Sequence, residues 1–434
     1  IGFKGGAVDE FMVFGTALTQ VEVTALASGK SVADVLTEAD EVAQRTYYLA
    51  RHDEKYAKAL KGLHRAQERE HTLVESVREV MTMAEQPEHR KTYVLARGGY
   101  GNRGEEVFAD APGELLPFDE SWPRNRLGLV QWLLDEKNPL TTRVAANRIW
   151  GQFFARGLVE TQEDFGSQGK PPTHPKLLDH LAYWFREHDW DVKALCKYIV
   201  TSSTYKQVST PRDDLVDVDP TNTLLARGPR YRLAAELVRD NALAVSGLLV
   251  DTVGGPSVKP YQPDGLWEAA SSQTYAEDSG DGLYRRSMYT FWKRTVPPPS
   301  MMMFDAATRE VCSARRERTT TPLQALVLLN DPQFVEAARE LAAKVLRHEA
   351  VVDTRLSVLF RTLTSRQPRA DELAILRDAY TEQHRYFETD SEAAKAYVSV
   401  GSSAVDAELD LMAWAATTAI TQVLMNFDEF QVKQ

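Results

Sequence analysis

The side chains best suited to chemistry are concentrated between Tyr284 and Arg318. This segment holds eight Lys and Arg residues against three Asp and Glu residues, a local charge of +5 in a chain whose net charge is −11. Guanidinium groups bind carboxylate and sulfate through paired hydrogen bonds, and aromatic side chains offer flat apolar faces to a bound sugar ring. The pattern predicts a ligand site made of Arg285, Arg286, Tyr289, Trp292, Lys293, Arg294, Arg315, Arg316 and Arg318.

The same arginines also fit a purely structural role. Subtracting +5 from −11 leaves a charge of −16 on the rest of the chain, so carboxylates are plentiful as partners. Buried networks of arginine and carboxylate are common in large helical proteins and contribute little net stability. Alternation over residues 287–292 predicts a strand, and prolines 297–299 predict a rigid, extended segment after it. Both the ligand site and the structural network stay open at this point.

Groups that could act in catalysis are scattered along the chain, and the sequence assigns a catalytic role to none of them. They are Glu163, Asp164, His174, Lys293, Asp305, Glu310 and Cys312. His174 precedes Pro175 at a predicted helix start, which is typical of a capping or hydrogen-bonding residue. Cys312 follows Arg309 and precedes Arg315, a setting that can lower a thiol pKa. The chain contains no HExxH or Gly-x-Ser-x-Gly motif and no Ser-His-Asp order.

The two cysteines and the glycine-rich loop predict no metal and no cofactor. Cys196 and Cys312 belong to no CxxC or Cys/His spacing, and they are expected to be either two buried thiols or one disulfide. Gly98, Gly99, Gly101 and Gly104 form a tight turn, but the Lys-Ser/Thr of a phosphate-binding loop is missing.

The composition is that of an ordinary globular protein. The chain has 434 residues, of which 43% are apolar and 26% are charged, as in ordinary globular proteins. Its negative charge argues against nucleic acid or an anionic membrane surface as a partner. No apolar run approaches the roughly 20 residues of a membrane-spanning helix.

Helix signals dominate the chain. Thr19 with Glu22, Ser31, Thr321 with Pro322, and Asp331 with Pro332 predict helix starts. Asn138 and Pro139 separate two further helices, the first with an apolar face of Leu127, Val130, Leu133 and Leu134. Residues 92–96 predict a short strand. The fold class predicted is a mainly α, multi-helix domain with small β elements.

Several long segments resemble the planctomycete-specific domain one family. They include RNRLGLVQWLLDEKNPLTTRVAANRIWGQFFARGLVE, YRRSMYTFWKRTVPPPS and RERTTTPLQALVLLNDPQFVEAAR, and the resemblance runs from about Met81 to the C-terminus. Thr320 departs from the asparagine usual in the family. At the start of the chain, Asp9, Glu10, Phe14, Leu18, Thr19 and Glu22 resemble the last strand of a laminin-G-like sandwich.

The resemblance implies an architecture and a location, but no mechanism. The predicted domains are 1–30, a sandwich remnant; 31–90, a helical hairpin or coiled-coil linker; and 91–434, the family domain, with helical blocks 121–250 and 321–434 around segment 284–318. The family implies a fragment of a larger exported, periplasmic or cell-surface protein of unassigned activity. The basic aromatic segment and the sandwich remnant lead us to expect a protein that binds anionic polysaccharide, and an extension of this hypothesis is that it also processes the polysaccharide. The alternative is a structural or assembly domain that docks a cytochrome or another envelope protein, and a metal-free hydrolase or lyase is a third reading.

Overall fold

The computed structural model describes residues 11–86, 88 and 90–433. It is mainly helical, with 51% helix and 5% strand in two small antiparallel sheets, which confirms the predicted fold class. The chain divides between Phe108 and Ala109 into two compact units. Asp9 and Glu10 of the laminin-G-like motif lie outside the described residues, so that resemblance stays a prediction. Among the described residues, no helix has both the length and the apolar character needed to cross a bilayer.

The described residues of the N-terminal unit form four α-helices and one hairpin. Helices α1 to α4 span Gln20–Ser28, Val32–Glu38, Glu41–Arg51 and Glu54–Ser76. Strands β1 and β2, which confirm the predicted strand near residue 92, span Thr92–Leu95 and Arg103–Val107.

Local capping explains the first helix of this unit. Thr19 accepts a hydrogen bond from the Glu22 backbone N–H, and the Glu22 carboxylate accepts one from the Thr19 backbone N–H at 2.7 Å. This reciprocal pair is the predicted capping box. Ser31 caps α2, because its side chain accepts a hydrogen bond from the Asp34 N–H. The core here is small, made of Val21, Ala25 and Val35 with partly buried neighbours.

The C-terminal unit carries the remaining elements. Helices α5 to α9 span Arg126–Leu134, Thr141–Phe154, Pro175–Glu187, Val192–Val200 and Asp213–Val216. Helices α10 to α14 span Ala235–Ser246, Leu266–Ala270, Asp281–Tyr284, Pro299–Met303 and Pro322–Asn330. Helices α15 to α20 span Pro332–His348, Val352–Thr364, Ala370–Thr389, Ser391–Val398, Leu411–Met425 and Asp428–Gln431. Strands β3 and β4 span Tyr231–Arg232 and Val432–Lys433.

Two hydrophobic cores hold this unit together. The larger one centres on α15 and α19, where Leu341 and Trp414 are almost fully buried and the Trp414 indole donates to the Arg339 carbonyl at 2.9 Å. The smaller one joins α6, α7 and α8, with the rings of Trp150 and Phe154 stacked 4.0 Å apart. Pro322 and Pro332 occupy the first positions of α14 and α15, as predicted.

Helix α5 departs from the expectation for a core helix. The predicted apolar face is exposed, with Leu127 at 69% and Val130 at 48%. The buried residues are Gly128 and Trp132, whose indole donates to the Leu116 carbonyl at 2.7 Å. Most of the apolar surface of this helix therefore faces solvent.

The strand predicted over residues 287–292 is wrong. Ser287–Tyr289 form a 3₁₀ turn. The backbone N–H of Ser287 donates to Asp240 at 2.7 Å, and the carbonyl of Arg285 accepts from Arg239 at 2.8 Å. Because side chains of α10 take these main-chain groups, no continuous ladder can form there.

Candidate functional site

A polar cleft of about 460 Å³ lies where four parts of the C-terminal unit meet. The end of α6, the strand β3 with the start of α10, the residues after α13, and loop 313–318 form its walls. The charged side chains in the lining are Arg232, Glu236, Asp305, Arg315, Arg316, Glu317 and Arg318. Four guanidinium groups therefore face the same space as three carboxylates, which leaves the lining with one excess positive charge.

A short sheet positions the floor of the cleft. Tyr231 pairs with Lys433 and Arg232 with Val432, and the Tyr231 hydroxyl donates to the Gln152 carbonyl at 2.7 Å. The Arg232 side chain, only 7% exposed, makes an ion pair with Asp305. Its buried Nε has no hydrogen-bond partner among the described residues.

Arg318 is the cation with the fewest partners in the cleft. Its guanidinium lies over the Tyr231 ring, 4.5 Å from the centroid, and the residue is half-buried. No carboxylate oxygen of the described residues lies within 4.0 Å of it. Burial lowers the pKa of Arg318, and the nearby charges of Arg232 and Arg316 lower it further. A partly desolvated cation without a counter-charge is costly, and a bound anion would remove that cost.

The other charges of the lining are paired to different degrees. Arg316 Nη1 donates to both oxygens of Glu236, at 2.8 and 2.9 Å. Arg315 only approaches Glu317, at 3.5 Å, and both side chains are exposed. The pair of Arg316 and Glu236 is thus tight, whereas Arg315 has donors to offer.

Asp305, one of the predicted catalytic candidates, lines the cleft in a structural role. Its carboxylate accepts from Arg232, from the Thr319 backbone N–H at 2.7 Å and from the Thr319 hydroxyl at 2.9 Å. These bonds tie the loop that carries Arg315 to the floor of the cleft. No histidine or cysteine is among the described residues that line it.

Of the residues predicted for the ligand site, the structure brings together Arg315, Arg316 and Arg318. Arg285 lies elsewhere, 8% exposed. Its Nη1 donates to the Pro256 carbonyl at 2.9 Å, and its Nη2 donates to the Thr252 carbonyl at 2.9 Å and to the Gly254 carbonyl. Its guanidinium also covers the Tyr289 ring at 3.8 Å. This arginine fastens loop 252–256 to the body of the unit.

The remaining predicted residues are dispersed. Trp292 donates to the Thr308 carbonyl at 2.9 Å, and Lys293 donates to Ser271 Oγ at 2.7 Å. Arg286 lies 3.9 Å from Asp240 and 3.8 Å from Asp251, while Arg294 is exposed. None of these four lines the cleft.

The structural reading of buried arginine applies best to a residue outside the basic segment. Arg239 is 3% exposed and donates to the carbonyls of Arg285 and Leu283, at 2.8 and 2.7 Å. Burial lowers its pKa to about 10. Segment 284–318 therefore contains one part that is built around Arg239 and Arg285 and another that faces the cleft.

Other catalytic candidates are not gathered at the cleft. His174 Nδ1 lies 3.0 Å from Thr173 Oγ1, and His174 makes no side-chain cap on α7. Asp164 accepts from the Gly166 N–H at 2.7 Å. Both cysteines are free thiols, Cys196 half-buried and Cys312 exposed.

Sequence reasoning missed Arg232 and Glu236. Arg232 reaches the cleft from a two-residue strand whose partner strand is close to the C-terminus. No local sequence pattern indicates this pairing. Glu236 is the acidic residue in the first turn of α10, a position usually explained by the helix dipole alone.

Comparison with known proteins identifies one family. The family described as PSD1, a protein of unknown function (DUF1553), matches residues 125–380, a range that includes every residue of the cleft. At this level the resemblance drawn from the sequence is confirmed, while the restriction to planctomycetes stays a prediction. Neither the curated proteins nor the solved structures gave a match to the chain.

Proposed function

The chain belongs to the PSD1 family of proteins of unknown function (DUF1553), and we propose that its cleft around Arg318 binds an anionic ligand. Acidic polysaccharide is the class that we favour. The observation that carries the proposal is Arg318 itself, a half-buried cation in an open cleft without a carboxylate partner among the described residues. Arg315 offers further donors at the rim, and guanidinium groups suit carboxylate and sulfate.

Charge favours a short anionic segment, held in the cleft, as the ligand. Outside the basic segment the chain carries a charge of −16, the difference between −11 and +5, and this would repel any long polyanion that extends beyond the cleft. A bounded cleft of about 460 Å³ lies within the usual size range of small-ligand sites. It would accept one or two charged sugar units of a longer chain.

Binding, and not processing, is the function proposed. A glycosidase or lyase needs a carboxyl group or another base that is free to exchange a proton. Two of the three carboxylates in the lining, Glu236 and Asp305, are instead held by Arg316, Arg232 and Thr319. The third, Glu317, is exposed at the rim, so the described residues of the lining offer no pair of free carboxyl groups. Action at the cell envelope is part of the proposal and rests on the family resemblance.

The first test is a titration of the chain with three oligosaccharides at low salt. Oligogalacturonate and a sulfated oligosaccharide should bind, with an affinity that falls as salt is added, and maltotriose should not. Equal binding of maltotriose, or no binding of either acidic sugar, would reject the proposal.

The variant Glu236→Gln tests the proposal by a predicted gain, not loss, of ligand affinity. The exchange removes the carboxylate that now neutralises Arg316, so the affinity for oligogalacturonate should rise about three- to tenfold. Glu392→Gln is the matched control, because Glu392 is a highly exposed residue of α18 that pairs with Lys395. An unchanged or weaker affinity of Glu236→Gln would contradict the account.

Assembly is the second candidate function, and the apolar face of α5 favours it. Leu127, Val130 and Leu134 recur at helical spacing and are 48–69% exposed, as on helices that pack against a partner. Sedimentation of the chain between about 1 and 100 μM tests self-association. Leu134→Glu should then shift the chain towards the monomer, and a parent that is monomeric throughout would count against self-assembly.

A further inference from the structure

A second group of cations surrounds the indole ring of Trp267. Lys259 Nζ lies 5.5 Å and Lys293 Nζ 4.1 Å from the ring centroid. Trp267 is buried, while the neighbouring Phe291 ring, 5.8 Å away between centroids, is 36% exposed. None of these residues lines the arginine cleft. The cluster is therefore a separate feature of the C-terminal unit.

The two ammonium groups lack counter-charges. Within the described part of the chain, no carboxylate oxygen lies within 4.0 Å of either of them. Lys293 Nζ donates one hydrogen bond, to Ser271 Oγ at 2.7 Å, and retains two further N–H donors. Like charges held against one ring repel each other, and the attraction of each to the ring offsets this only in part. An anion bound at these ammonium groups would supply the missing counter-charge.

Backbone hydrogen bonds fix the main chain that carries Lys259 and Phe291 before any ligand arrives. The Val258 N–H donates to the Tyr289 carbonyl at 2.8 Å, and the Phe291 N–H donates to the Val258 carbonyl at 2.7 Å. The main chain of Lys259 is hydrogen-bonded to Asp278. The Lys259 backbone N–H donates to Asp278 Oδ2 at 2.8 Å, and the Lys259 carbonyl accepts from the Asp278 N–H at 3.0 Å. Fixing a site in advance lowers the entropy cost of binding.

We propose that Lys259 and Lys293 bind the oxyanion of a ring-bearing ligand, with Ser271 holding the Lys293 ammonium group in place. A phosphate, sulfate or carboxylate group contacts the ammonium groups, and the ring of the ligand lies against the exposed face of Phe291. The proposal does not depend on the function of the arginine cleft.

Titration with small aromatic probes tests the site. The chain should bind phenyl phosphate, phenyl sulfate or benzoate, and the ranking of the three identifies the preferred oxyanion, while phenol should not bind. Lys259→Met and Lys293→Met should each weaken the preferred probe by about tenfold or more, the effect of losing one charge-assisted hydrogen bond. Lys395→Met, an exposed lysine of α18, should bind the probe like the parent.

In the titrations, the proposal would be overturned by phenol binding as tightly as the oxyanions, by no binding of any oxyanion probe, or by lysine variants that bind like the parent. A measurement on the unaltered chain covers the case in which a variant does not fold. Acetylation of lysines, followed by mass spectrometry, should slow at Lys259 and Lys293 when the preferred probe is present, and not at Lys395. Equal acetylation rates with and without the probe would refute the site.

Discussion

Gly401 lies against the buried carboxylate of Glu336, and the contact leaves no room for a side chain. Glu336 is 1% exposed and accepts hydrogen bonds from the hydroxyls of Tyr261 and Tyr284, at 3.0 and 2.9 Å, and from the Ser403 N–H at 2.6 Å. A methyl group at Gly401 would overlap the carboxyl group of Glu336. Gly401→Ala should therefore push this carboxylate out of its hydrogen bonds.

The size of the effect follows from two contributions. Gly401 has φ = +96°, and alanine in that conformation costs about 1 kcal/mol. Disrupting a buried, hydrogen-bonded charge costs about 4 kcal/mol. Gly401→Ala should thus lower the free energy of unfolding by about 5 kcal/mol, and Glu336→Ala alone by about 4 kcal/mol. In the Glu336→Ala background the glycine exchange should cost only about 1 kcal/mol, because the overlap is gone.

Urea denaturation of the parent, both single variants and the double variant measures this coupling. Gly247→Ala is the matched control, since Gly247 has φ = +88° and open space where a side chain would lie; it should cost about 1 kcal/mol. Effects of Gly401→Ala and Glu336→Ala that add to within about 0.5 kcal/mol would refute the reasoning.

Two further predictions concern a carboxylate and a thiol. Hydrogen bonds from Arg366 lower the pKa of Glu372 from 4.5 to about 2, so this carboxylate stabilises the fold fully above pH 4.5 and loses its contribution as the pH falls towards 2. Arg366→Gln should flatten the decline of the free energy of unfolding over that range in urea denaturation, and a decline parallel to the parent's would contradict this. Burial raises the pKa of Cys196, whereas Cys312 is exposed. A thiol reagent should react with Cys312 about tenfold faster than with Cys196, Cys312→Ser should remove the fast phase, and a single shared rate would contradict the assignment.

Helix starts could be predicted from the sequence because their signals are local. The capping box of Thr19 and Glu22 and the prolines at positions 322 and 332 act within one turn of the helix that they begin. The same reasoning failed at residues 287–292, where alternation suggested a strand. There, Arg239 and Asp240 from a distant helix compete for the backbone, and a local pattern cannot reveal such competitors.

The candidate site could be predicted only in part. A cluster of arginines in the sequence indicates local positive charge, and this charge predicted a role for Arg315, Arg316 and Arg318, which line the cleft. It could not separate them from Arg285, whose donors are taken by carbonyls 29 to 33 residues away in the chain. Arg232 was not predicted as a site residue, because the pairing of β3 with β4 is what brings it to the cleft. The predicted boundaries at residues 30 and 90 stay predictions.

The measurement that tests the central claim most directly is a pair of readings on Arg318→Gln: its affinity for oligogalacturonate and its free energy of unfolding. If Arg318 is a ligand-binding cation, the variant should bind about thirtyfold more weakly, a loss of about 2 kcal/mol. It should also be at least as stable as the parent, because a desolvated charge has been removed. A variant that keeps the parent's affinity and loses stability would show instead that Arg318 is structural.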